Sequence, residues 1–252
     1  MTHWDESLYG ARIAGVYDGS VFGAAGDTDE AVEFLVVLAE ESAGRTMLEL
    51  GSGTGRLLIP LAERGYQVEG VELSPEMVAR MREKSGNEIP VTVGDMVDFD
   101  LGRRFDIVFL AYNSLHCLST QERQVACLRT AARHLSVDGV LVCEASLPYP
   151  LTRLPPKGVT TVSVGADEVV LIPYRHDQVG QVIESATVVI REDGIKIYPS
   201  CNRYAWPPEL DLMAQLSGLR LRARYGDWTR TPFDALSDNH VCLYEFAERP
   251  VV

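Results

Sequence analysis

The chain has no pair of closely spaced cysteines, no long apolar run and no surplus of basic charge, and each lack closes off a class of function. Its five cysteines, Cys117, Cys127, Cys143, Cys201 and Cys242, are scattered without a C-x-x-C pair. That argues against a structural metal and leaves thiols suited to small core positions. The longest apolar stretch, Ala31 to Ala39, is interrupted by Glu33 and is too short to cross a bilayer. Met1 to Glu6 lacks the basic start and apolar core of a signal peptide, so a cytoplasmic protein without a membrane partner is expected. The net charge of −13 works against nucleic acid, which is held through Lys/Arg contacts to phosphate. No repeat or low-complexity tract is present. What remains, 252 residues of which 46% are hydrophobic, suits one large domain or a domain with an insertion.

Apolar runs and helical periodicity then alternate. Asp29 to Glu41 is helical, with Asp27 or Thr28 as cap, and Thr46 to Leu50 is a buried strand ending in glycines. Arg56 to Arg64 is a helix stopped by Gly65, Gln67 to Leu73 a second strand, and Pro75 to Lys84 a helix capped by Ser74. Val91 to Val93 and Phe105 to Ala111 are the third and fourth strands, Gln121 to His134 a helix, and Val140 to Ala145 a fifth strand. Such alternation predicts a parallel sheet covered on both faces. Between Gly158 and Tyr204 the composition turns to Val, Ile, Thr and Tyr, with turn signals near Gly165, Gly180 and Gly194. Three or four antiparallel strands are expected there. A helix from Glu209 to Leu216 and strands Leu219 to Tyr225 and His240 to Phe246 close the fold.

The segment Glu49-Leu50-Gly51-Ser52-Gly53-Thr54-Gly55 runs from a strand straight into a helix. Glycine is needed there for positive φ or for close approach of backbone to a ligand. A tight turn without a ligand would explain the trio equally well. Glu72, however, ends the next strand about 20 residues on, where a carboxylate can accept from both ribose hydroxyls. Asp95 is a second acid at the same sheet edge, placed to accept from an adenine amino group. Dinucleotide sites read G-x-G-x-x-G, whereas here the third glycine comes one residue early and an acid opens the run. That spacing argues against an NAD-linked oxidoreductase and suits S-adenosylmethionine (SAM), which has an ammonium and a sulfonium but no phosphate.

With the segments Val68-Glu69-Gly70-Val71-Glu72-Leu73-Ser74, Val93-Gly94-Asp95-Met96, Phe105 to His116 and Leu135 to Val142 in order, residues 45–147 resemble a class I SAM-dependent methyltransferase. The resemblance implies a Rossmann-like, doubly wound seven-stranded sheet with an antiparallel β insertion after the fifth strand. It implies that Glu49 and Gly51 face the methionyl end of SAM and that Gly53 passes under the ribose. Glu72 would bind the ribose hydroxyls, Leu73 pack on adenine, Asp95 and the Met96 backbone read its edge, and Ala111 lie near the amino-acid part. Ala14-Gly15-Val16-Tyr17-Asp18 is similar to a Val-Tyr-Asp segment of small-molecule methyltransferases, including those that N-methylate nucleotide-linked amino sugars. There the tyrosine lies over the cofactor, so Tyr17 either closes the site or is an ordinary aromatic of an amphipathic helix. The expected organisation is a helical cover at 1–44, a core at 45–150 and 206–252, and an insert at 151–205 that forms substrate or homodimer contacts.

His116 follows the fourth strand at the edge where ligands sit in open α/β sheets. A neutral imidazole could accept a proton there, or could shape the pocket and bond to backbone. Glu144, Tyr149, His176 and Trp206 are weaker pocket-lining candidates. Asn113 is followed by Ser114-Leu115, not the Pro-Pro-aromatic of methyltransferases acting on exocyclic base nitrogens. The expected reaction is methylation of a small metabolite, foremost at the nitrogen of an amino sugar or N-heterocycle in natural-product biosynthesis. O- or C-methylation, and SAM binding by a regulatory protein without turnover, stand as alternatives.

Overall fold

The computed structural model describes residues 7–19, 27–42, 44–86 and 88–248. Parts of the expected N-terminal cover, residues 1–6, 20–26 and 43, lie outside the described residues, as does the tail 249–252. Helices α1 (Ser7–Ile13) and α2 (Thr28–Ser42) come first. The alternating core follows: β1 (Thr46–Leu50), α3 (Leu58–Glu63), β2 (Gln67–Glu72), α4 (Pro75–Ser85), β3 (Val91–Val93), β4 (Phe105–Leu110), α5 (Gln121–Arg133) and β5 (Leu135–Ser146).

Local chemistry sets the boundaries. The Ser74 hydroxyl accepts from the Met77 amide at 3.2 Å, Pro75 fills the first helical position, and Gly86 closes α4 at φ 68°. Thr120 caps α5 by accepting from the Arg123 amide. α3 starts later than its periodicity suggests, because Arg56 lies in a turn where its guanidinium donates to Asp27 at 2.8 Å and Thr28 at 3.2 Å. β5 starts earlier, at Leu135, which pairs with Phe105 before a register shift carries the strand past Gly139.

The sheet order is β3-β2-β1-β4-β5, extended by the antiparallel strands β11 (Asn239–Phe246) and β10 (Leu219–Tyr225). Met47, Leu48 and Leu50 of β1 and Ile107 to Leu110 of β4 are wholly buried, which is why those runs are apolar without alternation. Strand order reverses between β1 and β4, so a crevice opens at their carboxyl ends.

The short helix α6 (Tyr149–Thr152) leads into a separate antiparallel sheet of β6 (Lys157–Val164), β7 (Glu168–Asp177), β8 (Val182–Arg191) and β9 (Gly194–Arg203). Its return is α7 (Pro207–Leu216), which begins at Pro207 and not at Glu209, proline being well suited to a first turn. Buried Arg203 pins this return: it donates to Gln124 at 2.7 Å and to Glu209 at 2.6 Å, while Gln124 donates back to the Arg203 carbonyl at 2.7 Å. Ile13, Met77, Val170, Val189 and Tyr198 form a small core joining α1, α4 and the inserted sheet above the crevice. Among the described residues, no helix is long and apolar enough to cross a membrane.

Candidate active site

The loop after β1 is held open by backbone. The Gly51 and Ser52 amides donate to the Val71 carbonyl at 2.8 and 3.2 Å, and Gly55 donates to Ser52. Gly51, Gly53 and Gly55 all have positive φ, at 77°, 54° and 84°, a run that residues with a Cβ would strain. The carboxylate of Glu72 joins this loop to β2 by accepting from the Gly53 amide at 2.8 Å and the Ser74 amide at 2.9 Å. Burial raises the Glu72 pKa, and those backbone bonds oppose the rise. Asp95 accepts from the Val97 amide at 3.1 Å and from Arg123 at 2.8 Å.

Glu49 lies behind the loop, 5% exposed, and its Oε2 is buried with no hydrogen-bond partner among the described residues. Burial pushes its pKa up to about 8; Arg56 pulls it down and Glu72 pushes it further up. Burial thus favours the neutral acid here, and an incoming cation would favour the charged form.

The Val-Tyr-Asp segment forms a turn after α1 and not part of a helix. A Cβ at Gly53 would meet the Tyr17 ring at 4.0 Å, which places the ring against the glycine loop. Burial drives the Tyr17 phenol pKa upward, so it stays protonated. Asp18 latches the turn by accepting from Thr54 at 2.6 Å and from Lys84 at 3.0 Å. Burial pushes the Asp18 carboxyl up, but these bonds outweigh it and hold the pKa below the usual carboxylate range. Removing the latch with Asp18→Ala should cost about 1 kcal/mol, the usual net worth of a hydrogen bond. Stopped-flow measurement should show cofactor leaving several-fold faster; an unchanged rate would mean the turn is not a cover.

Beyond β4 the chain bends sharply. Tyr112 and Asn113 are both left-handed, at φ 52° and 61°, and a short 3₁₀ turn covers Ser114–Cys117. The buried carboxylate of Glu144 accepts from the Tyr112 amide, and burial pushes its pKa up to about 7. Asn113 crosses to β5, where its Oδ1 accepts from the Ser146 amide at 2.7 Å and its Nδ2 donates to the Ser146 hydroxyl at 3.1 Å. His116 is buried. Its Nε2 accepts from the Ala205 amide at 3.4 Å, and burial, then Arg203, depresses its pKa to about 4.

These elements surround one cavity of about 670 Å³. Tyr17, Gly51, Gly53, Glu72, Leu73, Asp95, Met96 and His116 all line it. Glu49 and Ala111 are not on its surface but sit behind the loop and at the foot of the β4 bend. The weaker candidates fall elsewhere. Tyr149 is outside under the Arg153 guanidinium, and Glu144 is committed to the Tyr112 amide. The His176 ring bonds to the Tyr204 hydroxyl at 3.1 Å away from the cavity, and Trp206 precedes α7 as its N-cap. Sequence reasoning assigned no role to Tyr9, Asn113, Ser146 or Asp238, all of which line the cavity, nor to Asp18. Only Asn113 carried a signal: an asparagine just past a strand end is a natural left-handed residue.

A doubly wound sheet with its glycine loop, strand-end acids and buried acid at the switch point defines a cofactor site of the class I methyltransferase kind. A family model for a methyltransferase domain matches residues 47–139. The chain is 38% identical to the CcbJ methyltransferase from Streptomyces caelestis, covering 97% of this chain and 100% of that one, with a TM-score of 0.91. It is 28% identical to the cypemycin N-terminal methyltransferase of a Streptomyces species over 80% of this chain and 83% of that protein. It is 35% identical to the dTDP-3-amino-3,6-dideoxy-alpha-D-glucopyranose N,N-dimethyltransferase of Streptomyces fradiae, a match spanning 54% of each. The chain belongs to the SAM-dependent methyltransferases. Its cofactor is SAM, which the unpartnered buried Glu49 oxygen and the glycine loop fit.

Proposed function

We propose that the enzyme methylates a nitrogen of a small metabolite, an amino sugar or N-heterocycle in natural-product biosynthesis. SAM, when bound, supplies the methyl: the acceptor nitrogen's lone pair forms the new N–C bond as the C–S pair returns to sulfur. The observation that carries the nitrogen reading is the state of His116. With Nε2 engaged by a backbone amide and a pKa near 4, it is a weak base, and a neutral amine needs little help where a hydroxyl or carbon acid does. The relatives that act on amines, by name the cypemycin and aminoglucose enzymes, support the same reading.

In this reading Glu49 and Gly51 serve the methionyl end, with Ala111 behind it, and Gly53 lies under the ribose. Glu72 holds the ribose hydroxyls, Leu73 packs on adenine, and Asp95 with the Met96 amide reads its edge. Tyr17 closes the site and excludes water, and His116 shapes the acceptor wall. The enzyme works in the cytoplasm on a free small molecule, without nucleic-acid or membrane partners, which the charge of −13 supports. Assay of S-adenosylhomocysteine release across matched amines, phenols and enolisable ketones tests the reaction. Turnover of phenols or carbon acids alone would overturn it, as would tight SAM binding without any transfer.

Residues 151–205 form a unit that meets both substrate and a second copy of the chain. The outer face of its sheet is apolar: Val164 pairs with Val169, Ile190 with Ile195, and Val188 with Ile197. Val164, Ile195 and Ile197 are 75%, 65% and 52% exposed, a contiguous patch of the kind that marks an interface. Light scattering should show a dimer that Ile197→Glu converts to monomer; a monomeric wild type would sink this part.

A further inference from the structure

Resting on the nitrogen reading, we infer that Asp238 positions the acceptor amine and that the acceptor presents this amine on a carrier without phosphate. The cavity continues past the glycine loop to Ser146, Leu147, Ser200, Asn202, Asp238 and Asn239. Backbone fixes Asp238 at that end: Asn239 pairs with Ser146 across β11 and β5, and the Leu147 amide donates to the Asp238 carbonyl at 2.7 Å. Asn113, at the β4 bend, is bonded to the same Ser146. Asp238 therefore sits beside the turn that ends β4, opposite the adenine end marked by Asp95.

Among the described residues, three carboxylates line the cavity, and they differ in what they already hold. Glu72 accepts two backbone amides and Asp95 accepts an amide and a guanidinium. The Asp238 side chain has no ion pair or hydrogen bond among the described residues. It is the wall carboxylate left for a ligand. An amine N–H donates to it, which orients the lone pair inward. As the nitrogen is methylated it becomes cationic, and a charge-assisted bond to the carboxylate strengthens. The proton then leaves to solvent at this exposed end.

The same wall sets what else the acceptor carries. None of the described lining residues is lysine or arginine. A phosphate there would meet the Asp238 carboxylate with no cation in the wall to offset the repulsion, a penalty for an anion. The cations Arg80, Arg191 and Lys196 border a different cleft of about 440 Å³, on the far side of Tyr198 and Val189. Arg80 and Arg191 are there paired to Glu83 and Glu168. The predicted acceptor is an amine in a neutral or cationic molecule, unlike the nucleotide-linked sugar of the Streptomyces fradiae relative.

The test uses three probes: the methyl glycoside of 3-amino-3,6-dideoxyglucose, its nucleoside diphosphate ester, and the hydroxyl analogue of the glycoside. The glycoside should be methylated with kcat/KM about 100-fold above the ester, a gap near 2.7 kcal/mol. Calorimetry on the S-adenosylhomocysteine complex should show Asp238→Asn weakening glycoside binding about tenfold, with kcat/KM falling at least as far. S-adenosylhomocysteine affinity should not change, which separates positioning from a loss of structure. Equal or better turnover of the ester overturns the inference, as does unaltered glycoside binding in Asp238→Asn. Methylation of the hydroxyl analogue alone removes the nitrogen reading itself.

Discussion

Affinity for SAM is expected to rise about tenfold per pH unit through the approach to pH 8 and to level off above it, the limit for one coupled proton. Glu49 is the source. In the free protein it is buried, its pKa stands near 8, and its Oε2 has no partner among the described residues. A cationic ligand beside it favours the carboxylate and lowers that pKa. Below pH 8 the free enzyme then holds a proton that the complex has shed, so binding releases it and is opposed by acid. In Glu49→Gln this dependence should vanish, leaving only the titration of the ligand's own amino group. Calorimetry in buffers of different ionisation enthalpy reads the released proton directly. Equal proton release by wild type and variant would remove Glu49 from the methionyl end. The same shift has a stability consequence of opposite sign. Between about pH 4.5 and 8 the folded chain binds this proton and the unfolded chain does not, so the free enzyme loses stability as pH rises. Saturating cofactor should flatten that decline.

Glu72→Ala should weaken SAM binding by about 1–3 kcal/mol, roughly 5- to 150-fold. Two effects combine. The ligand's hydroxyls lose their acceptor, and the buried amides of Gly53 and Ser74 lose theirs. The second loss loosens the loop that carries three alternating positive-φ glycines, so a small fall in melting temperature should accompany the binding defect. Glu72→Gln separates the two, since an amide oxygen can still accept from one backbone donor. Intact affinity in Glu72→Ala would remove the ribose assignment. A lower melting temperature with unchanged affinity would leave Glu72 as a loop brace alone.

The sheet was legible because its physics is local. Fully buried parallel strands read as apolar runs, and Ser74-Pro75 and Gly86 announce both ends of a helix. The glycine loop and Glu72 were legible for a related reason: both sit at fixed offsets from strand ends, so spacing alone predicts their proximity. Nothing comparable marks the far end of the cavity. Asp238 lies 92 residues after Ser146, and only the return of β11 against β5 brings the two together. Asp18 meets Thr54 and Lys84 through a turn whose partners no periodicity reveals. The strand end puts His116 on the cavity wall, but its Nε2 contact with Ala205 comes from the far side of the insert. Its weakness as a base therefore had no local sign.

The cavity borrows its walls from two sheets that share no strand. Glu72, Leu73 and the glycine loop belong to one, whereas Thr187, Ser200 and Asn202 belong to the other. Buried Arg203 anchors the second sheet to helices α5 and α7 through Gln124 and Glu209. Thr187, Ser200 and Asn202 can change while the glycine loop keeps its own residues, whereas Val189 and Tyr198 of the same strands pack with Ile13 and Met77 and must hold. A wall divided in this way suits a laboratory library confined to Thr187, Ser200 and Asn202, with S-adenosylhomocysteine affinity as the check that the glycine loop is undisturbed.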